Sequence, residues 1–267
     1  MNILVTGCAG FVGFHLIKKL LINNKVIGID NLNSYYDVKL KYARLRKLKK
    51  NSNFVFFKID LISKKRLMNL FSRNKIDLVI NLAAQAGVRY SQKNPDQYIN
   101  ANVLGFYNLL ETMIKYKTKK LLFASSSSVY GSIKAKIFSE NLITDKQISL
   151  YASTKKINEI LMNFYGKVHN VSFIGMRFFT IYGPYGRPDM AYFKFTKNIN
   201  EGKKIYLHNY GNHSRDFTYI DDCVECITKL ISLIKKKKIN TIVNIAGGKK
   251  VNIKTMVSII EKNMKCK

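Results

Sequence analysis

No apolar run in this chain is long enough to cross a bilayer, so no transmembrane helix is expected. The N-terminus lacks the charged start and small-residue cleavage site of a secretory signal, which makes the cytoplasm the expected compartment. Cysteine is scarce: Cys8, Cys223, Cys226 and Cys266 are the whole set. Cys223 and Cys226 have redox-pair spacing, but they sit in an amphipathic stretch. No second pair exists to complete a zinc site, so core thiols and no metal are expected. Acidic residues are also few, 16 against 46 basic ones, for a formal charge of +30. Only 8 of those cations are arginines. The 38 lysines are spread over the whole chain among many Asn and Ile, a pattern of codon bias rather than of a selected surface. Base readers rely on arginine, or on aromatics interleaved with a basic stripe, so no specific nucleic-acid partner is expected. The compact run Lys235-Lys236-Lys237-Lys238 falls at a helix end, where cations complement the dipole. The net charge should still draw polyanions at low salt and favour a small ligand carrying several negative charges. Neither an internal repeat nor a low-complexity linker is present.

What is there is alternation. Strands are expected at 2–6, 25–30, 54–59, 78–82, 120–124 and 171–176. Helices are expected at 11–22, 38–50, 64–71, 95–115, 149–167, 192–201, 221–234 and 253–262. Strands separated by helical stretches imply an α/β fold, a Rossmann-type doubly wound parallel sheet with right-handed crossovers, whose ligands gather at the carboxyl ends of the strands. Gly7, Asp30, Asp60, Ala83, Ser126 and Arg177 fall at those ends. From about Phe179 the pattern turns irregular, with a short strand expected at 204–207. Residues 1–178 are therefore assigned to a dinucleotide-binding domain and 179–267 to a small substrate lobe interleaved with the last sheet elements.

The turn Thr6-Gly-Cys-Ala-Gly-Phe-Val-Gly13 joins the first strand to the first helix. Small residues there admit a pyrophosphate close to the backbone, and the helix end favours negative charge. Such turns also serve simply to pack a helix on a strand. Here Asp30 closes the next strand, where a carboxylate accepts an adenosine ribose and repels a 2′-phosphate, which favours NAD over NADP. Downstream, Tyr151 and Lys155 lie four residues apart and share one helical face. A cation at that distance should lower the phenol toward the range of a general base. Ser125-Ser126-Ser127-Ser128 ends a strand with a row of hydroxyls, one of which can bond a substrate hydroxyl that Tyr151 deprotonates. Each pattern alone is common; all of them in this order are not.

On these segments, with Asn81-Leu-Ala-Ala84, Arg177-Phe-Phe-Thr180 and Arg215-Asp-Phe-Thr-Tyr-Ile-Asp-Asp222, the chain resembles the extended short-chain dehydrogenases/reductases. Within them it resembles the NAD-dependent sugar-nucleotide epimerase/dehydratase family. Ala84-Gln-Ala-Gly-Val-Arg-Tyr-Ser91 and Gly186-Arg-Pro-Asp-Met-Ala191 look like the UDP-glucuronate 4-epimerase branch. The resemblance implies that Gly7, Gly10 and Gly13 hold the NAD pyrophosphate while Phe11 and Val12 line the turn. Asp30 takes the ribose, Asp60 and Leu61 flank the adenine, Leu82, Ala83 and Ala84 follow the dinucleotide, and Asn102 supports that wall. Tyr151 is the base, Lys155 binds the nicotinamide ribose, and Ser126 is the partner hydroxyl. Ser127, Ser128, Thr180 and Arg187 look like contacts of a sugar carboxylate, Arg215 looks like a diphosphate ligand, and Arg89 serves either cofactor or substrate.

The chemistry implied is oxidation at C4 of a UDP-hexuronate, rotation of the 4-keto sugar, and return of hydride to its other face. A 4-keto hexuronate is a β-keto acid that loses carbon dioxide readily, so its carboxylate must be gripped; hydroxyls and a guanidinium suit that task. Decarboxylating relatives carry Glu at the place of Ser128, and 4,6-dehydratases carry Asp-Glu at the place of Ser127-Ser128. Neither feature is present. Epimerases of neutral UDP-hexoses or UDP-N-acetylhexosamines share the hydroxyl row and stay open. Relatives normally continue past the last helix here, so the expectation is a C-terminally truncated substrate lobe with an exposed apolar patch. A non-catalytic NAD-binding remnant is thus a second reading. Relatives also form homodimers through a four-helix interface, for which 95–115 and 149–167 are the matching helices, although their apolar faces fit a core equally well.

Overall fold

The computed structural model describes residues 1–264, so Cys266 lies outside the described residues. The chain alternates through β1 (Asn2–Thr6), α1 (Phe11–Leu20), β2 (Lys25–Asp30), α2 (Val38–Leu48), β3 (Phe54–Lys58), α3 (Lys64–Arg73) and β4 (Leu78–Asn81). Two short helices follow, α4 (Tyr90–Lys93) and α5 (Pro95–Tyr98). A π-helical turn over Ile99–Leu104 leads into α6 (Gly105–Lys115), then β5 (Lys120–Ser126), α7 (Leu150–Val168) and β6 (Ser172–Phe178). The remainder comprises β7 (Thr180–Tyr182), α8 (Ala191–Asn200), β8 (Ser214–Tyr219), α9 (Ile220–Lys236), β9 (Asn240–Ile245), β10 (Lys250–Asn252) and α10 (Ile253–Met264).

The main sheet runs β3-β2-β1-β4-β5-β6-β9, with every neighbouring pair parallel. β1 lies between β2 and β4, so the chain winds outward to β3 and then crosses over to continue on the other side. That reversal opens a crevice at the carboxyl ends of β1 and β4, where an open parallel sheet binds its ligands. Leu78-Val-Ile-Asn81 is buried throughout, as a strand covered on both faces must be. One face is closed by α1 and α9 through Phe14, Leu16, Ile17, Ile227, Ile231 and Ile234. The other is closed by α3, α6 and α7 through Leu67, Leu70, Phe106, Leu109, Met113 and Met162. Each such side chain contributes about 1.5–3 kcal/mol by leaving water.

Two glycines are dictated by the turn between β1 and α1. Gly7 has φ +68°, and a Cβ there would lie 2.8 Å from the Ala83 amide nitrogen. A Cβ on Gly13 would lie 2.3 Å from the Gly7 carbonyl oxygen. Larger side chains would push α1 off the sheet and close the crevice.

The structure departs from the sequence pattern in several places. The strand expected at 204–207 is irregular chain. Four strands were not expected: β9, which completes the main sheet, and β7, β8 and β10, which form a small sheet in the order β10-β8-β7. β9 is an edge strand with only Ile245 buried, so it shows no continuous apolar run. The single helix expected at 95–115 is interrupted by the π-helical turn. Of the two thiols in α9, Cys223 is core, but Cys226 is exposed because it faces away from the sheet. Within 179–264, α8 has no buried residue, and Phe193, Tyr206, Tyr210 and Ile259 are exposed. Among the described residues no helix is long and apolar enough to cross a membrane.

Candidate active site

A cavity of about 1170 Å³ opens along the carboxyl ends of the strands. It runs from the turn after β1, past β2 and β4, to the end of β5 and on to the loop after β7. Every residue singled out above as a cofactor or substrate contact or catalytic group lines it, with the exception of Asn102. Asn102 sits behind the wall in the π-helical turn. Its Oδ1 accepts from the Gln85 amide at 2.8 Å, and its Nδ2 donates to the Gln85 carbonyl at 3.0 Å. The extra residue of that turn aims the amide at the chain leaving β4, a use typical of π-bulges near functional sites.

At the cofactor end, α1 begins at Gly10 with no side-chain cap and no acidic residue in its first turn, so its first amides face the cavity beside Phe11, Val12 and Gly13. Asp30 ends β2, and its carboxylate accepts from the amides of Ala9 at 3.2 Å and Leu32 at 2.8 Å. Burial pushes its carboxyl up, while the Lys41 ammonium and those two amides oppose the shift. Asp60 accepts from Asn31 at 2.8 Å and from the Ile62 amide at 3.0 Å. Thr6 Oγ1 donates to Asn81 at 2.6 Å and accepts from the Ala83 amide at 3.0 Å, which joins the ends of β1 and β4 under the crevice. An uncapped helix end and a recessed carboxylate one strand away fit the pyrophosphate and ribose of a dinucleotide.

At the reacting end, Ser149 caps α7 by accepting from the Ala152 amide at 3.1 Å. The helix then presents Tyr151 and Lys155 one turn apart beneath the end of β5. Lys155 is 1% exposed and its Nζ donates to the Ala124 carbonyl at 2.9 Å. Burial pulls its ammonium down to about 8. Tyr151 departs from the sequence expectation. Its phenol is pushed up by burial; the opposing influences are a hydrogen bond with Ser126 and the charge of Arg187, not Lys155. The Lys155 Nζ lies 6.0 Å from the centre of the Tyr151 ring. Ser126 ends β5 and accepts from the Ser128 amide at 3.1 Å, so the serine row curls into a 3-10 turn that brings Ser126, Ser127 and Ser128 onto one rim.

Thr180 opens β7 and Arg215 lies exposed on β8, where its Nη1 donates to the Ser214 carbonyl at 3.0 Å. Arg89 is exposed at the start of α4. Arg187 projects from the loop between β7 and α8. Its Nε and Nη2 are bonded to the two carboxylate oxygens of Asp189, at 3.0 and 2.5 Å. Burial acts to lower the guanidinium and the Asp189 charge more than offsets it; conversely, Arg187 holds the Asp189 carboxyl below its usual range against burial. Sequence reasoning missed Tyr35, Lys41, Gln85 and Asp189 as lining residues. Tyr35, Gln85 and Asp189 lie on loops, where no periodicity marks them, and Lys41 sits on α2; the Tyr-Tyr pair and the conspicuous Gly-Arg-Pro-Asp run were the available signals.

Residues 3–246 match the NAD dependent epimerase/dehydratase family. The chain belongs to that family. It is 44% identical over 261 residues to the UDP-glucuronate 4-epimerase of Thermodesulfobacterium geofontis, covering 97% of this chain and 79% of that protein. The UDP-glucuronic acid 4-epimerase of Bacillus cereus, solved in complex with UDP-glucuronic acid and NAD, superposes with a TM-score of 0.93. The two are 37% identical over 100% of this chain and 84% of that one. The UDP-glucose 4-epimerase of Thermotoga maritima, solved with UDP-glucose, superposes at 0.85 with 30% identity, covering 98% and 82%. The Rossmann-type sheet and the NAD dependence of the family account for the first half of the cavity.

Proposed function

We propose that the chain inverts C4 of UDP-glucuronate to give UDP-galacturonate, and the reverse, through a 4-keto sugar. The observation that carries this reading is a phenol and a guanidinium in one cavity: Tyr151 at the serine rim and Arg187 close enough for its charge to act on that phenol. The likeness to the Bacillus cereus enzyme supports it.

NAD, when bound, supplies the acceptor for the C4 hydride and its return. The first amides of α1 and the Asp30 carboxylate would hold it, and Lys155 would meet its nicotinamide ribose. As a phenolate, the form that the Ser126 hydrogen bond and the Arg187 charge favour against burial, Tyr151 takes the proton of the C4 hydroxyl and later gives it back, with the Ser126 hydroxyl holding the sugar oxygen in reach. A carboxylate bound by Arg187, Thr180 and the hydroxyls of Ser127 and Ser128 would keep the C5–C6 bond out of alignment with the C4 carbonyl, which restrains decarboxylation. Arg215 would meet the diphosphate, and Arg89 the cofactor or the substrate. We further propose a cytoplasmic homodimer.

One observation favours a second reading. Arg187 is already paired with Asp189, so the bare sugar site holds a neutral pair rather than an open cation, as a UDP-hexose epimerase would accept. Incubation with UDP-glucuronate followed by anion-exchange separation and mass detection decides. A product of equal mass that co-elutes with UDP-galacturonate supports the uronate reading. Conversion of UDP-glucose alone supports the neutral one, and no conversion with NAD bound supports a non-catalytic remnant. Tyr151→Phe is expected to abolish turnover and retain NAD; near-normal turnover would remove Tyr151 from its role.

A further inference from the structure

Arg44 is a fully buried guanidinium that no step above uses. It is 0% exposed, its Nε has no hydrogen-bond partner among the described residues, and no carboxylate bonds to it. Its Nη1 donates to the Ala9 carbonyl at 2.8 Å and to the Tyr36 hydroxyl at 2.7 Å. Its Nη2 donates to the carbonyls of Tyr185 at 2.6 Å and Gly186 at 3.3 Å. A buried, incompletely satisfied cation is a poor way to gain stability, which leaves its geometry to be explained. That geometry ties the glycine turn to the two residues just before Arg187.

The same segment holds the other side of Arg187. The Tyr35 hydroxyl donates to Asp189 Oδ2 at 3.2 Å, and Asp189 in turn takes the Nε and Nη2 edge of Arg187. Tyr35 itself packs against Tyr90 with the rings tilted by 57° and their centres 4.9 Å apart, and the Arg187 guanidinium lies 5.8 Å from the centre of the Tyr35 ring. His15 adds a third grip: its Nε2–H donates to the Pro184 carbonyl at 2.9 Å. Three consecutive carbonyls before Arg187 and the carboxylate after it are thus restrained from α1 and the β2–α2 region. Asp189 is held by donors from two chain segments and uses one edge of the guanidinium, leaving Nη1 outside the pair.

We propose that Tyr35 and Arg44 are positioning residues that hold the Arg187–Asp189 loop so that the remaining edge of Arg187 is presented to the carboxylate of the sugar. The proposal rests on the uronate reading of the same site. On this account the Arg187–Asp189 pair is the means by which the cation is aimed, rather than evidence against an anionic sugar. Preorganisation of this kind lowers the cost of ordering a long side chain on binding. It also makes the β2–α2 segment, which walls the cofactor end, part of the substrate specificity.

The test uses NAD-loaded protein and calorimetric dissociation constants for UDP-glucuronate and UDP-glucose, with KM and kcat alongside. Tyr35→Phe keeps the ring and removes only the hydroxyl. It is expected to weaken UDP-glucuronate by roughly three- to tenfold, in KM more than in kcat, as loss of one hydrogen bond to a charged network would. UDP-glucose binding should stay within about twofold. In an Arg187→Ala background Tyr35→Phe should add nothing, because the two act as one unit. Arg44→Lys should behave like Tyr35→Phe, since an ammonium cannot span the glycine turn and the loop carbonyls together. Equal losses for both sugars, additivity with Arg187→Ala, or an unchanged UDP-glucuronate constant in Tyr35→Phe would overturn the proposal while the wild type still prefers the uronate. A wild type without that preference would overturn the uronate reading itself and the proposal with it.

Discussion

Tyr151 and Lys155 show how far a spacing can be trusted at the scale of single residues. Four residues on a helix place both side chains on one face, and the structure does so. The spacing says nothing of where the ammonium points, and here it donates to the Ala124 carbonyl, 6.0 Å from the centre of the Tyr151 ring. The phenol is consequently pushed up by burial, with Ser126 and Arg187 opposing. Lys155 carries a cost of its own: its ammonium is pulled down to about 8 by burial. Below that pH it is charged in both folded and unfolded chains and the burial penalty is complete; above it, the folded state loses the proton first and the penalty is relieved. Lys155→Met is therefore expected to raise stability at about pH 7 by on the order of 3 kcal/mol while losing activity. The difference from wild type in chemical denaturation should shrink toward about pH 10. A variant less stable than wild type at neutral pH would show that the ammonium contributes net stability through its hydrogen bond.

At the scale of elements, α7 organises more than its two catalytic positions. Glu159 continues the stripe one turn beyond Lys155 and is buried. It accepts from Ser125 Oγ at 2.5 Å and from Arg177 Nε and Nη2, each at 2.9 Å. Ser125 precedes Ser126 on β5 and Arg177 is the penultimate residue of β6, so one carboxylate pins helix, reacting strand and neighbouring strand together. The Arg177 guanidinium also lies over the Tyr130 ring, 4.9 Å from its centre. Glu159→Ala strands this cation in the core and should cost about 3–5 kcal/mol in urea denaturation. A loss below about 1 kcal/mol would mean that the pair is replaceable by water. The element pattern was legible wherever an apolar run was covered on both faces, as in β1, β2 and β4. It failed at β7 and β10, which have three residues each, at β9, which lies on an edge, and at β8, where only Thr218 is buried; none of them leaves a periodic mark.

For the whole molecule the surface falls into two kinds of region. Lysines are spread along the whole chain, and the net charge of +30 should favour encounter with a nucleotide sugar through long-range attraction that salt weakens. Along α6, α7 and the turn before α6, Leu104, Tyr107, Ile160 and Phe164 remain exposed, although the opposite faces of both helices fill the core. These residues fit the proposed homodimer. Phe164→Asp is expected to convert a dimer to a monomer in light scattering with its far-UV spectrum unchanged. A wild-type chain of monomer mass at micromolar concentration would count against that pairing.

Order along the chain was enough to determine the alternating fold, the glycine turn with its acid, the serine row and the Tyr151–Lys155 pair. Each depends on contacts within one strand, one turn or one helix, and periodicity and spacing encode those. Only the tertiary structure decided that Arg187 is paired with Asp189, that Tyr35 and Arg44 reach that loop from α2 and the chain before it, and that Glu159 meets Arg177. The Arg187–Asp189 pair, though local, lies on a loop without periodicity, and the Tyr35, Arg44 and Glu159 contacts join residues 18 to 154 positions apart. No local pattern marks them, because they exist only once the crossovers have brought distant strand ends to one edge of the sheet.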